Sequence, residues 1–334
     1  MFPAFVPHPA LRNPHLMTVA SYLLPRRWLG SGSPAGVERQ FEVAADNKVV
    51  ARCHWQAEPT EVPTLLLLHG LSGSHSSSYM VGLAGKAVQS GFNVLRLNMR
   101  NCGDTEHLAT TLYHSGLSSD VEVVIDTLAD EGHRRIYLAG FSMGGNIALR
   151  VAGQSHEAGR SILRGVAAVS PAIDLALAVQ NIDQGFVNGL YRRSFMAHLR
   201  GMLRRKASQF PGRFDLTGLR RVRTLQEFDD RFTAPSFGFG DAANYYRTAT
   251  ALPLLEHIKV PTLFVQAADD PMLPVSQIDQ VSGLDNPAIE LLVPRTGGHC
   301  AFLSRRPAVS SVGRDLDRYW AENRVVQFLL GLAP

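Results

Sequence analysis

The sequence predicts an α/β fold with a mostly parallel sheet covered by helices, and three observations carry that prediction. Short apolar runs alternate with amphipathic stretches over residues 37–170 and again over 262–330, which is the order of β–α units in a parallel sheet. The apolar run Val62–Leu68 is typical of a strand buried on both faces. About ninety residues between Val169 and Thr262 lack a clear strand pattern, which indicates an insertion.

The first part of the chain supplies most of the predicted sheet. Residues 37–55 predict two early strands joined by a turn at 45–47, and Val62–Leu68 predicts the next strand. A helix over Tyr79–Gln89 follows, with Ser78 as its cap. The remaining elements before residue 171 are the strands Phe92–Leu97, Arg135–Ala139 and Val166–Ser170 and the helices Ser118–Asp130 and Met143–Gly153.

The segment 172–250 is predicted to be a mostly helical lid within a single domain that spans residues 1–334. A structureless loop of this length is improbable inside a compact domain. The β–α pattern then resumes with the strands Thr262–Gln266 and Ile289–Val293, a helix over Val275–Val281 between them, and a last helix near Gly313–Leu330.

Composition excludes several classes of protein. No apolar run reaches the roughly 20 residues of a membrane helix, no zinc-ligand spacing or aromatic–basic platform predicts a nucleic-acid partner, and no feature calls for a metal or cofactor. The three widely spaced cysteines predict free thiols, and the N-terminus lacks a secretory pattern, so we expect a cytoplasmic protein.

Ser142 is the candidate nucleophile. It lies at the centre of the pentapeptide Gly140–Gly144, between the strand Arg135–Ala139 and the helix Met143–Gly153. A glycine-flanked serine at a sharp strand-to-helix turn is the nucleophile elbow of the α/β-hydrolases, in which the strained turn exposes the hydroxyl. A serine hydroxyl needs a base, an acid that orients the base, and donors for the oxyanion.

Asp270 and His299 are the candidate acid and base. Residues 267–274 follow a predicted strand directly, and Asp270 fits the position of the acid better than Asp269, which stays the fallback. His299 follows two glycines after the last predicted strand. The order serine, aspartate, histidine is the one this fold uses.

The oxyanion hole is predicted to use the backbone N–H groups of Met143 and Leu71. Met143 follows the nucleophile at a helix N-terminus, where the helix dipole favours negative charge. Leu71 lies in the His-Gly turn after the first buried parallel strand, and we expect the side chain of His69 only to hold that turn.

Other polar groups have more than one interpretation. The loop Tyr113–Gly116 either contacts substrate or is structural, whereas Asp229 and Asp230 are expected to anchor the lid by hydrogen bonds rather than act as paired acids. Cys102 and Cys300 flank the predicted active-site loops, and filling of the core or of a loop is expected rather than thiol catalysis.

The lid carries most of the excess positive charge of the chain. Residues 186–231 hold eleven Lys or Arg against four Asp or Glu, whereas the whole chain has a net charge of +4. Over Phe186–Ala207 apolar residues recur at near-helical spacing with basic residues between them. This pattern predicts a surface helix with a solvated basic face, or else a lid that contacts anionic lipid.

The chain resembles the YheT-like α/β-hydrolases, bacterial relatives of the α/β-hydrolase-domain lipases. The resemblance rests on residues 11–16, 69–74, 113–116, 140–145, 227–235, 268–271 and 297–299. It departs at Arg100-Asn101-Cys102-Gly103-Asp104, where the family usually has Arg-Gly-Cys-Ser-Gly. It implies the triad Ser142, Asp270 and His299, and hydrolysis of short- to medium-chain esters or monoacylglycerol-like lipids.

The sequence therefore predicts a serine hydrolase that cleaves carboxylic esters through an acyl-enzyme on Ser142. A thioesterase or amidase would use the same triad. A non-catalytic ligand-binding protein on this fold is a further alternative, which the presence of all three candidate residues disfavours.

Overall fold

The computed structural model describes residues 2–33, 35–155, 162–184, 187–310 and 313–333. Its α/β fold confirms the predicted class. The strands, in chain order, are β1 (Val37–Ala44), β2 (Asn47–His54), β3 (Thr64–Leu68), β4 (Asn93–Asn98), β5 (Ile136–Phe141), β6 (Leu163–Val169), β7 (Thr262–Val265), β8 (Ile289–Leu292), β9 (Val309–Ser310) and β10 (Gly313–Arg314). The helices before β6 are α1 (Pro14–Leu23), α2 (Ser78–Gln89), α3 (Ser118–Asp130) and α4 (Met143–Ser155).

The described part of the segment between β6 and β7 is mostly helical. It contains α5 (Leu175–Asp183), α6 (Asn188–Gln209), α7 (Leu225–Phe228), a π-helical turn (Asp229–Thr233), α8 (Ala234–Ser236) and α9 (Ala242–Ala249). The helices after β7 are α10 (Ser276–Ser282) and α11 (Trp320–Leu332).

Eight strands form one sheet in the order β1-β2-β4-β3-β5-β6-β7-β8. β2 is antiparallel to both β1 and β4, and the six strands from β4 to β8 in this order are parallel. The carboxyl ends of β3, β5, β7 and β8 therefore lie on one edge of the sheet. Ligand sites of open α/β sheets lie at this edge.

The strands are buried on both faces because each face is covered by helices. Along β3, Leu66 and Leu68 pack into the layer that contains α3 and α4, whereas Leu65 and Leu67 pack against α2 and α11. Successive side chains of a strand point to opposite faces, so a continuously apolar strand fills both layers. This arrangement explains why β3 to β7 read as apolar runs rather than as alternating ones.

The structure differs from the sequence prediction at two helices. The last helix begins at Trp320, not near Gly313, since residues 313–314 form β10, and the aspartates before the helix, Asp315 and Asp317, pair with Arg324 and Lys86. The helix α1 was not predicted, although Asn13 caps it through the Leu16 N–H and Pro14 begins it. Both are standard helix-start signals.

The basic face expected on α6 is only partly solvated. Lys206 is fully buried and donates to the carbonyl oxygens of Glu106 and Ala109, and Arg205 pairs with the Glu106 carboxylate. Arg192 and Arg200 donate to backbone carbonyls as well. Phe186, at the start of the predicted amphipathic pattern, lies outside the described residues.

A buried ion network joins the N-terminal segment to the two helices of one layer. The Glu322 carboxylate accepts from Lys86 Nζ at 2.5 Å and from Arg26 Nε at 3.2 Å. Lys86 also pairs with Asp317 at 2.7 Å. The Lys86 and Arg26 side chains are 0% and 1% exposed, so Glu322 neutralises charge that water does not reach.

We expect Glu322→Gln to lower the free energy of unfolding by about 3–5 kcal/mol, because it leaves buried positive charge uncompensated. Urea unfolding followed by circular dichroism measures this loss. The control is Glu131→Gln, which removes the exposed pair with Arg39 and should cost less than about 1 kcal/mol. Equal losses in the two variants would contradict the claim that Glu322 neutralises buried charge.

Candidate active site

Ser142 lies at the sharp turn between β5 and α4. Its φ of 54° is in the left-handed region, which costs a non-glycine residue energy and is held only by surrounding structure. The turn brings backbone so close that a Cβ on Gly140 would lie 2.1 Å from the Gly144 carbonyl oxygen, and one on Gly144 would lie 2.5 Å from the Leu68 carbonyl oxygen. Glycine at both positions is therefore a steric requirement of this turn.

His299 and Asp270 form a hydrogen-bonded pair at the same edge of the sheet. His299 Nδ1 lies 2.9 Å from Asp270 Oδ2 and 3.1 Å from Oδ1. Asp270 Oδ1 also accepts from the N–H groups of Met272 and Leu273, at 2.9 and 3.1 Å. The carboxylate is thus fixed by the backbone of its own loop and orients the imidazole.

The fallback acid, Asp269, points elsewhere. Its Oδ1 accepts from the Gly298 N–H at 3.0 Å. Asp269 therefore closes the loop that carries His299. Of the two aspartates, only Asp270 pairs with the imidazole.

The position of His299 depends on a helix that the sequence reasoning missed. Thr18 Oγ1 on α1 accepts from the His299 N–H at 2.9 Å and donates to the Pro14 carbonyl oxygen. His15, also on α1, makes a 3.1 Å hydrogen bond to the hydroxyl of Tyr191 on α6. The helix α1 therefore connects the histidine loop to the helical insertion.

Two opposing effects set the pKa of His299. Burial lowers the pKa, whereas the negative charge of Asp270, its hydrogen bond and the neighbouring Cys300 sulfur raise it, and the balance lies well above 6.5. The carboxylate stabilises the imidazolium, which is what a base must become when it takes a proton.

The expected oxyanion donors are free to bind a ligand. Within the described residues, neither the Leu71 nor the Met143 backbone N–H donates a hydrogen bond to the protein. The N–H groups on either side of Leu71 are engaged, since Gly70 donates to the Tyr79 hydroxyl at 3.0 Å and Ser72 to the Tyr113 hydroxyl at 3.4 Å. Ser142, Met143, Leu71 and His299 all line one cavity.

His69 holds the turn that carries Leu71, as expected. It is fully buried, its Nε2 accepts from the Met99 N–H at 3.2 Å, and its Nδ1 donates to the Gly70 carbonyl oxygen at 2.8 Å. Burial lowers its pKa to about 4. The neutral ring therefore serves as a fixed structural bridge.

The cavity wall beyond these residues is mostly apolar and comes largely from the helical insertion. Residues on α5, α6 and α7 supply Leu175, Ala178, Val179, Ile182, Phe195, Leu199, Met202, Leu225 and Phe228. Leu112, Ala172, Met272 and Leu273 complete the apolar part. A wall of this kind suits an acyl or alkyl chain.

The polar part of the cavity includes residues of the loop Tyr113–Gly116, for which the sequence allowed either substrate contact or a structural role. Tyr113, His114 and Ser115 all line it, together with Tyr245 and Tyr246. Most of their polar atoms are engaged within the protein: Tyr245 accepts from the Ser115 N–H at 2.9 Å, and His114 Nδ1 accepts from the Gly116 N–H at 3.0 Å.

Asp229 and Asp230 anchor the insertion as expected, but they differ in position. Asp230 is exposed and its Oδ1 accepts from the Ala242 N–H at 2.7 Å. Asp229 accepts from the Tyr246 hydroxyl at 2.8 Å and lines the cavity. Its place in the cavity wall was not predicted, because adjacent residues in a helical turn point in different directions and the sequence does not say which faces inward.

The loop that departs from the YheT-like pattern has left-handed backbone at several positions. Asn101 and Asp104 stand where that pattern has glycine, and their φ values are 64° and 63°. Asn and Asp tolerate this conformation better than other non-glycine residues. The loop therefore takes left-handed conformations at both positions without glycine.

The described part of the chain contains no group of three or more His, Cys, Asp or Glu side chains arranged to hold a metal ion. Among the helices of the described residues, none is long and apolar enough to cross a membrane.

Comparison with known proteins gives a family match and several relatives. A family profile described as "alpha/beta hydrolase fold" matches residues 63–305. "Putative esterase YheT" of Escherichia coli K12 is 29% identical over 97% of this chain and 92% of its own length. The monoacylglycerol lipase of Saccharomyces cerevisiae is 28% identical over 73% of this chain, which spans 56% of that protein.

Solved structures show the same fold. The Pyrococcus furiosus esterase Pf2001 aligns with a TM-score of 0.55 and 18% identity, covering 93% of this chain and 100% of that one. At this identity the likeness concerns the fold alone.

We expect the imidazole of His299 to titrate above pH 6.5 and to have a lower pKa in Asp270→Asn, where burial remains and the raising charge is gone. In the unmodified protein the ring is therefore mostly neutral only at pH values above this raised pKa. Titration of the ring by nuclear magnetic resonance measures the pKa of His299 in the unmodified protein and in the variant. Asp269→Asn is the matched control and should leave the pKa nearly unchanged; an equal fall in both variants would contradict the pairing.

Proposed function

The chain belongs to the α/β-hydrolase fold family, whose esterases and lipases include its relatives, and on that premise we propose that it cleaves carboxylic esters through an acyl-enzyme on Ser142. His299 acts as the base, Asp270 orients it, and the N–H groups of Leu71 and Met143 bind the oxyanion. One observation carries this proposal. The strained Ser142 shares a cavity with an Asp270-bound His299 and two backbone N–H groups that donate to none of the described residues.

The reaction proceeds in two halves. His299 takes the proton of Ser142 as its oxygen attacks the ester carbonyl, and the oxyanion develops between the two donors. Collapse expels the alcohol, which receives the proton from His299. A water molecule, activated by the same imidazole, then releases the acid and restores the serine. No metal or cofactor enters these steps.

The substrate is an ester with a short- to medium-length acyl chain or a monoacylglycerol-like lipid. The apolar wall from α5, α6 and α7 supports this choice, as does the likeness to a monoacylglycerol lipase. A thioester or amide would meet the same groups, so a thioesterase or amidase is the alternative reaction. A purely ligand-binding role has less support, because it would leave the Asp270–His299 pair without use.

The segment 172–250 acts as a lid, since its helices supply most of the cavity wall above the carboxyl edge of the sheet. It also offers a contact for anionic lipid. Several arginines of this region are exposed, namely Arg193, Arg204, Arg213, Arg220, Arg221 and Arg223. The apolar Leu190, about one turn before Arg193 on α6, is 61% exposed. Exposed cations next to apolar side chains are typical of peripheral membrane contact.

We place the enzyme in the cytoplasm. Cys53, Cys102 and Cys300 are free thiols, which a reducing compartment preserves.

A panel of p-nitrophenyl esters and monoacylglycerols of graded acyl length tests the proposed reaction. We expect hydrolysis by the unmodified enzyme, and a fall in kcat of about 10⁶-fold in Ser142→Ala, the size typical of losing a serine nucleophile. Asp269→Asn, outside the proposed triad, should retain activity. Full activity in Ser142→Ala would refute the proposal.

Co-sedimentation with vesicles tests the lipid contact. We expect more binding to vesicles that contain phosphatidylserine than to pure phosphatidylcholine, and a loss of about tenfold or more in Arg193→Glu/Arg204→Glu, since each basic residue near the surface contributes about 1 kcal/mol. The control Lys48→Glu/Arg134→Glu changes the same charge at exposed positions outside the lid. Vesicle binding that does not depend on the content of anionic lipid would contradict a contact between the lid and anionic lipid.

A further inference from the structure

The proposed ester hydrolysis leaves one polar group of the cavity unexplained. Asp229 is the only carboxylate among the described residues that line the cavity, whose wall is mostly apolar or aromatic. It begins the π-helical turn Asp229–Thr233, directly after α7.

The carboxylate has spare capacity to accept hydrogen bonds. The Tyr246 hydroxyl donates to Oδ2 at 2.8 Å, and the Thr233 hydroxyl is a second partner. An ionised carboxylate offers about four acceptor sites. Two sites therefore remain for a donor that enters the cavity.

No cation of the described residues forms an ion pair with Asp229. The charged groups that act on it most are acidic, Asp183 and Asp230, and burial raises its pKa to about 6. It is therefore largely ionised at neutral pH. Asp229 is half-buried in a mostly apolar wall, where a carboxylate without a full set of partners is costly, so a donor supplied by a ligand would be favoured there.

Anchoring of the insertion does not by itself require this placement. Asp230, the next residue, is exposed and makes a backbone hydrogen bond that fastens the start of α9. The hydrogen bond from Tyr246 needs only one neutral acceptor. Of the two adjacent carboxylates, only Asp229 lines the cavity.

We propose that Asp229 accepts a hydrogen bond from a free hydroxyl group of the ester substrate and so makes the enzyme selective for hydroxylated esters. The proposal rests on the ester hydrolysis proposed above and names its substrate class. The aromatic rings of Tyr245 and Tyr246 border the same region, whereas the apolar wall from α5 and α6 receives the hydrocarbon part.

The hydroxyl group has two chemical sources. It belongs either to the alcohol part, as in a monoacylglycerol, or to a hydroxylated acyl chain. Both place an O–H donor in a cavity that otherwise suits hydrocarbon, and paired substrates distinguish them.

The experiment compares kcat/KM for each hydroxylated ester with that for its O-methyl ether, which keeps the oxygen and removes the donor. One pair is 1-octanoylglycerol and its di-O-methyl ether; the other is p-nitrophenyl ω-hydroxyoctanoate and its methyl ether. A site built to bind a hydroxyl rejects the analogue without the donor strongly. We expect the unmodified enzyme to prefer the hydroxylated member of at least one pair by about 10- to 100-fold.

Variants assign that preference to the carboxylate. Asp229→Asn should lower the ratio by about five- to tenfold, because the amide keeps one neutral acceptor oxygen and loses the charge-assisted one. Asp230→Asn is the matched control and should keep the ratio. Tyr246→Phe removes the tyrosine donor and frees one acceptor site on Asp229, so the preference for the hydroxylated ester should stay the same or increase. This variant tests the inference if Asp229→Asn folds poorly.

The outcomes separate this inference from the proposed reaction. A ratio near unity in the unmodified enzyme for both pairs, or an unchanged ratio in Asp229→Asn, overturns the inference while hydrolysis of p-nitrophenyl octanoate stands. Absence of Ser142-dependent hydrolysis of every ester overturns both.

Discussion

The left-handed backbone of Ser142 is the constraint on which the rest of the site depends. The turn from β5 into α4 is so tight that Gly140 and Gly144 cannot carry a Cβ. It directs the hydroxyl into the cavity and places the Met143 N–H beside it at the start of α4. A strained residue persists only where the surroundings over-determine it, and here β3, β5 and β6 supply those surroundings.

The other site groups are held by hydrogen bonds between segments far apart in the chain. Asn146 on α4 is fully buried, donates to the carbonyl oxygens of Ser115 and Ala249, and accepts from the Ala251 N–H at 2.8 Å. It fastens both the loop at 113–116 and the end of the helical insertion to the helix that begins beside Ser142. Thr18 on α1 holds the histidine loop by accepting from the His299 N–H. The loops that carry the site groups are therefore held by side chains on helices far away in the chain.

Features set by short-range rules could be predicted from the sequence, and features set by distant partners could not. The glycines around Ser142, and the loops that carry Asp270 and His299 after two strands, follow from local sterics and strand order. The predicted start of the last helix was wrong, and the residues before Trp320 include Asp317, which pairs with the distant Lys86. Burial of Lys206 depends on carbonyl groups about a hundred residues away, and the inward side of Asp229 depends on how the insertion packs.

Labelling with a fluorophosphonate, followed by mass spectrometry of the digested protein, tests the central claim most directly. The account predicts one phosphonyl adduct per chain, located on the peptide that contains Ser142, and slower labelling in His299→Ala because the base that activates the hydroxyl is gone. An adduct on another residue, or no adduct in a preparation that hydrolyses esters, would contradict the claim that this serine is the nucleophile.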